Sequence, residues 1–191
     1  MTEAEIQEDL RQAVKVLTGG GIIVYPTDTI WGIGCDATNA EAVERLFKKK
    51  HRPDSKAMIS LVDSLSSLIS YVDHIPDSVL REIEISARPL TVIYPSIRGI
   101  VPRLKALDGS AAFRIPGNEY TKQLCNLLGR PLVSTSVNIS GCKAPTVFSD
   151  ISEELLELAD YVCRFGRHLP SSAPSRIIKV DSKGTLTVIR E

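Results

Sequence analysis

Four places in the chain combine residue types that could do chemistry. The first is Tyr25-Pro26-Thr27-Asp28-Thr29-Ile30-Trp31-Gly32-Ile33-Gly34, which presents two hydroxyls and a carboxylate after a proline turn. Its two glycines permit close backbone approach to a ligand, and it reads as a small-ligand loop or a plain structural turn. The second is a basic cluster: from Arg45 to Lys56 six residues are Lys or Arg and one is acidic. Cations there could satisfy a helix C-terminus or clamp a phosphate with paired donors. The third, Ser134-Thr135-Ser136-Val137-Asn138-Ile139-Ser140-Gly141, crowds hydroxyls and an amide just after an apolar run. In α/β proteins ligands bind at such strand ends. The fourth is Arg114, flanked by Phe113 and Ile115 in an apolar stretch, where a guanidinium must emerge at a strand end or meet an anion.

These parts restrict the reaction class. The chain contains no Walker loop and no G-x-S-x-G frame. Gly32-Ile33-Gly34-Cys35-Asp36-Ala37 matches G-x-G-x-x-A, but the glycines neither follow the strand directly nor open a helix, so the match is weak. The four cysteines are widely spaced and the three histidines lack zinc-ligand spacing, which points to free thiols rather than a metal set. Hydroxyl-lined loops with several cations suit alignment and charge neutralisation of a nucleotide's phosphates.

The elements that must position these residues follow from periodicity. Ile6, Leu10, Ala13, Val14 and Leu17 mark one face of a first helix, with Thr2 and Glu5 at capping-box spacing and Gly19-Gly20-Gly21 as its stop. Ile22 to Tyr25 reads as a buried strand. A helix is expected from the Asn39 cap through Phe47, ending before Pro53 so that Lys50, His51 and Arg52 fall in its last turn. Strands are expected at 57–62, 90–94, 110–115, 132–134 and 161–164, and helices at 64–71, 76–85 and 118–128. Asp150 and Glu153 have capping-box spacing for one more helix, and 176–190 reads as a hairpin. The pattern predicts an α/β domain over residues 1–191, with parallel crossovers early and an antiparallel hairpin at the end.

Lys plus Arg and Asp plus Glu are both 23, so the chain lacks the surplus charge of a dedicated nucleic-acid scaffold. No apolar run approaches the roughly 20 residues that cross a bilayer, and the acidic N-terminus is unlike a signal peptide. The expectation is a soluble, cytoplasmic protein without membrane contact.

Taken together, the motifs resemble those of the YrdC-like family. That family's Tyr-Pro-Thr-[Asp/Glu]-Thr-x-Tyr-Gly-Leu-Gly stretch is similar to Tyr25–Gly34, with Trp31 and Ile33 substituted. Its Lys-x-Arg-Pro corresponds to Lys50-His51-Arg52-Pro53, and its Ser-x-Asn to Ser136-Val137-Asn138. The resemblance implies an open twisted mixed sheet flanked by helices. It also implies synthesis of threonylcarbamoyl-AMP and pyrophosphate from L-threonine, bicarbonate and ATP with Mg²⁺. A tRNA threonylcarbamoyl-transfer complex would then modify position 37 of tRNA. By motif, Lys50, Arg52, Lys56, Ser110, Ser136, Asn138 and Arg190 fall on the ATP side, with Lys50 and Arg52 catalytic. Thr29, Arg114, Ser134 and Ser175 fall around L-threonine, and Asp28 could hold Mg²⁺ or a water. Departures are Leu61, where many members carry His, Ala87-Arg88-Pro89 for Pro-Gly-Pro, and Arg176 for Thr. The alternative reading is an RNA-binding or ribosome-associated module with a vestigial nucleotide pocket, whose RNA surface would be the Arg45–Lys56 cluster.

Overall fold

A computed structural model describes residues 1–50, 58–138 and 144–191. Helix α1 (Glu3–Thr18) opens on a complete capping box, in which the Thr2 hydroxyl accepts from the Glu5 amide and the Glu5 carboxylate accepts from the Thr2 amide. Strands β1 (Ile23–Tyr25) and β2 (Gly32–Gly34) follow, then α2 (Ala40–Lys49), capped by Asn39 accepting from the Ala42 amide at 3.0 Å. After β3 (Ile59–Leu61) come α3 (Leu65–Leu68) and α4 (Asp77–Ile85). Strands β4 (Leu90–Tyr94) and β5 (Ala111–Arg114) lead into α5 (Glu119–Leu128), which Gly129 ends in the left-handed region at φ 64°. The chain finishes with β6 (Leu132–Ser136), α6 (Glu153–Leu156), β7 (Tyr161–Val162), β8 (Arg176–Val180) and β9 (Leu186–Arg190).

The nine strands among the described residues form one unclosed mixed sheet in the order β7-β1-β2-β6-β3-β5-β4-β8-β9. Open, mixed and helix-flanked, it matches the expectation; its pairing does not. The early strands β1 and β2 run antiparallel, and the parallel pairs are β1–β7, β3–β5 and β4–β8, joined by long excursions of the chain. Strand β2 has no counterpart in the sequence pattern, because three residues with two glycines carry little strand signal. Position 34 nevertheless demands glycine: a Cβ there would lie 1.7 Å from the Val133 carbonyl oxygen on β6. The G-x-G is therefore a close strand crossing. Two further boundaries differ. Ser134 to Ser136 remain in β6 rather than opening a loop. Asp150 accepts from the Thr146 amide and hydroxyl, and the four-residue α6 has Ser152 at its cap position.

Residue alternation places the core and leaves a hollow. Ile22, Val24, Val92, Phe113 and Ile178 point to one face, where α2 contributes Val43, Leu46 and Phe47. On the opposite face Ile23, Tyr25, Leu61 and Leu132 meet Leu10 and Leu17 of α1 and Leu124 of α5. Further along that second face the inward positions are Ala112, Arg114, Thr91 and Ile177. Such positions offer a helix little apolar area to bury, so the sheet stays open there and forms a concave wall.

One polar group is buried under α1. Asp9 accepts from the Tyr120 and Tyr161 hydroxyls at 2.8 and 2.6 Å and from the Arg164 and Phe165 amides at 3.0 Å. Burial pushes its pKa upward, but these hydrogen bonds outweigh that and hold the carboxyl below its ordinary value. Cys35, Cys125 and Cys163 are buried free thiols; burial pushes Cys35 and Cys163 up to about 12, which removes them as nucleophiles. Cys142 lies outside the described residues. No helix among the described residues is long and apolar enough to cross a membrane.

Candidate active site

The concave face holds a cavity of about 450 Å³, a size suited to a small-molecule ligand. Thr29, Arg114, Ser134, Ser136, Asn138, Ser175 and Arg190 all line it. These residues come from the β1–β2 connection and from the ends of β5, β6, β8 and β9, regions far apart in sequence.

Arg114 is the best-buried cation on its wall. Its Nη2 lies 3.3 Å from Asp28 Oδ1, and the two side chains are only 4% and 8% exposed. Asp28 Oδ2 also accepts from the Gly117 amide at 2.7 Å, which ties the β1–β2 connection to the segment after β5. Asp28 is thus the counter-ion of Arg114. Arg114 Nη1 donates to Thr29 Oγ1 at 3.3 Å, while its buried Nε has no hydrogen-bond partner. A buried donor left unpaired costs about 1–3 kcal/mol, so this one favours an incoming acceptor.

Pro26 starts a turn that Thr27 closes, accepting from the Thr29 amide at 3.0 Å. The Thr27 hydroxyl donates to the Ile30 carbonyl at 2.6 Å, and the two threonine hydroxyls stand 2.9 Å apart. With Thr27's proton committed to Ile30, Thr29 must donate to Thr27 and accept from Arg114. Thr29 therefore meets a ligand as an acceptor. Across the cavity, the Ser175 and Thr91 hydroxyls pair at 2.8 Å, and Arg190 donates twice to the Ser175 carbonyl at 3.0 and 2.7 Å. Burial, then the charges of Arg114 and Arg88, hold the Arg190 pKa below its ordinary value. Arg114 and Arg190 both line this cavity, which favours an anion between them.

At the end of β6 the Ser136 hydroxyl donates to Asn138 Oδ1 at 2.5 Å. Lys50, at the C-cap of α2, is buried and donates to the Ser136 carbonyl at 2.8 Å and to the Asn138 carbonyl. It braces this turn from outside the cavity wall. Arg52 and Lys56, in contrast, lie outside the described residues. Helix α2 runs to Lys49 with Lys50 at its C-cap, and the His51 and Arg52 of the expected last turn lie outside the described residues. Ser110 is buried in the loop before β5, where its hydroxyl donates to Asp108 Oδ1 at 2.6 Å, and it is not on the cavity wall.

The departures from the resembled motifs also take their places. Trp31 lines the cavity and packs on Phe148 at 4.8 Å between ring centroids. Leu61 is core. Arg176 turns away from the cavity towards Glu82 and Glu191. In the described part of the basic cluster each cation has a partner, although Lys48 stays largely exposed. Arg45 pairs with Asp160, Lys48 with Glu44 at 3.8 Å, and Lys49 donates to the Leu158 carbonyl at 2.9 Å. Sequence reasoning missed the role of Asp28 as partner of Arg114 and the part played by Thr91, since neither pairing leaves a local signal.

The Sua5/YciO/YrdC family model, described as telomere recombination, matches residues 15–191. The chain is 32% identical over 153 residues to the threonylcarbamoyl-AMP synthase of Photobacterium profundum, covering 78% of this chain and 83% of that protein. To the threonylcarbamoyl-AMP synthase of Marinobacter nauticus it is 36% identical over 134 residues, 69% of this chain and 70% of that one. Among solved structures, Escherichia coli YciO superposes with a TM-score of 0.82 at 26% identity, over 97% of this chain and 89% of YciO. P. abyssi Sua5 complexed with L-threonine gives a TM-score of 0.78 at 25% identity, over 95% of this chain. The chain spans about half of that Sua5, 53% of its length.

Proposed function

Because the chain belongs to the Sua5/YciO/YrdC family, we propose that it is a threonylcarbamoyl-AMP synthase, making threonylcarbamoyl-AMP and pyrophosphate from L-threonine, bicarbonate and ATP. The observation that carries this reading is Arg114: a buried guanidinium fixed by Asp28, with an unpaired Nε–H, on a cavity rimmed by hydroxyls. That is a receptor for a small carboxylate whose side chain bears a hydroxyl. The threonine carboxylate meets Arg114, and its hydroxyl donates to Thr29 or pairs with Ser134 or Ser175.

No side-chain nucleophile is required. Threonine's amine combines with carbon dioxide from bicarbonate to give N-carboxythreonine. Its carbamate oxygen bonds to the α-phosphorus as the bond to the bridging oxygen breaks and pyrophosphate leaves. Ser136, Asn138 and Arg190 face the adenylate side, with Lys50 holding the Ser136–Asn138 turn in place. Arg52 and Lys56 complete the ATP side by motif, whereas Ser110, committed to Asp108 and off the cavity wall, positions the loop before β5. Arg190, with Arg52 and Lys56, offsets the charge building on the phosphates. Among the described residues no group of three or more His, Cys, Asp or Glu forms a metal cage. Asp28 accepts from the Gly117 amide through Oδ2 and its charge is balanced by Arg114 at 3.3 Å, although its buried Oδ1 makes no hydrogen bond. That pairing argues against its holding Mg²⁺. Mg²⁺ enters as part of the MgATP substrate. The adenylate then passes to a tRNA threonylcarbamoyl-transfer complex, in keeping with a cytoplasmic protein acting on tRNA.

The deciding test is pyrophosphate release with MgATP and bicarbonate in the presence of threonine, serine or valine. Losing a methyl costs about 1–3 kcal/mol of discrimination, whereas losing the hydroxyl leaves site groups unpaired. The expected order is threonine, then serine, then valine. Equal rates with valine, or no stimulation by any amino acid, would overturn the synthase reading.

A further inference from the structure

A second cavity, of about 360 Å³, lies on the opposite face of the sheet under α3 and α4; Arg114 lines both cavities, and Asp28 lines this second one alone. Its body is apolar, formed by Leu68, Ile83, Leu90, Val92 and Phe113. At its closed end stands Tyr94, 1% exposed, whose hydroxyl has no hydrogen-bond partner. Burial raises the Tyr94 pKa, so that hydroxyl stays protonated and can donate. At its open end are Arg88, which is exposed, and Lys122, which is half-buried. With Arg114 they make three cations against the single carboxylate of Asp28, which Arg114 and the Gly117 amide already engage. From Leu90 to Tyr94, β4 runs about 13 Å along this cavity.

We propose that this cavity is a second ligand site, taking a small amphipathic carboxylate. The carboxylate is held at the mouth by Arg88 and Lys122, the apolar body lies along β4, and a distal acceptor receives the Tyr94 hydroxyl. Charge selects the anion at the mouth, and the otherwise unpaired phenol selects an acceptor at the far end. The site is distinct from the concave cavity, and its existence does not depend on which reaction that cavity performs.

Calorimetric titration of the full chain with octanoate, 8-hydroxyoctanoate and octanol tests it without any activity readout. The hydroxy acid should bind tightest, octanoate more weakly, and octanol at least tenfold more weakly than the hydroxy acid. Tyr94→Phe should erase the advantage of 8-hydroxyoctanoate over octanoate and leave octanoate unchanged. The double substitution Arg88→Ala and Lys122→Ala should weaken both acids about tenfold or more, and saturating L-threonine should not displace either. Octanol binding as well as the acids, acids unaffected by both sets of substitutions, displacement by threonine, or no binding at all would each overturn the proposal.

Discussion

The Lys50 ammonium donates to the Ser136 carbonyl at 2.8 Å across 86 residues of sequence. This bond joins the C-terminus of α2 to the end of β6, so two of the chain's motifs form one structural unit. The turn that presents the Ser136 hydroxyl and Asn138 amide to the cavity is thereby held from behind. Replacing Lys50 with Met should leave buried carbonyls unpaired at a cost of about 1–3 kcal/mol. Thermal melts should register that loss, and the KM for ATP should rise while the KM for threonine changes little. An unaltered KM for ATP would count against the bracing role.

Arg114→Lys keeps the charge but not the fork that meets Asp28 and a carboxylate together. Losing a charge-assisted hydrogen bond of about 1.5–3 kcal/mol corresponds to roughly a ten- to hundredfold rise in the KM for threonine. Initial-rate kinetics should show this with the KM for ATP close to wild type. A parallel rise in both constants would instead mean general disruption of the cavity.

Asp28→Ala should be costlier to the fold than to the chemistry, because it strands the buried Arg114 charge. Breaking such a pair from one side costs about 3–5 kcal/mol. Denaturant unfolding measures it, and a loss below about 1 kcal/mol would mean that solvent compensates Arg114 freely.

Asp9 contributes a pH dependence whose sign is fixed. Its folded pKa lies below the ordinary carboxylate value, so its stabilisation is present above about pH 4 and is lost as pH falls through the folded pKa. Asp9→Asn should lower the melting temperature at neutral pH and flatten the acid limb of the stability curve. The same acid slope in wild type and variant would assign acid unfolding to other carboxylates.

Gly34→Ala places a methyl where only 1.7 Å separates it from the Val133 carbonyl oxygen, so β2 and β6 must part. The variant should be recovered largely unfolded or with its melting point sharply depressed. Gly129→Ala, with nothing within 4 Å of its added Cβ, meets only the strain of a positive φ and should be much milder.

Local spacing determined a good deal by itself. The Thr2–Glu5 capping box, the Asn39 cap, the bounds of β4 and the closing β8–β9 hairpin are all legible, because each depends on residues within a few positions of one another. So were several hydroxyl and cation positions that reach the cavity, since hydroxyls crowding the end of an apolar run at Ser134 and Ser136, and a lone guanidinium at Arg114 in an apolar stretch, already read as ligand-facing. Tertiary structure decided the rest. Nothing local to Asp28 says that its counter-ion is Arg114, and nothing local to Asp9 says that four donors from α5, β7 and the chain just beyond β7 will surround it. Strand β2 exists because Gly34 lets β6 come close, and the parallel pairs join strands separated by long stretches of chain. Ion pairs, strand order and cavities are choices among distant partners, made by burial and desolvation once the chain is compact, and short-range periodicity carries no record of them.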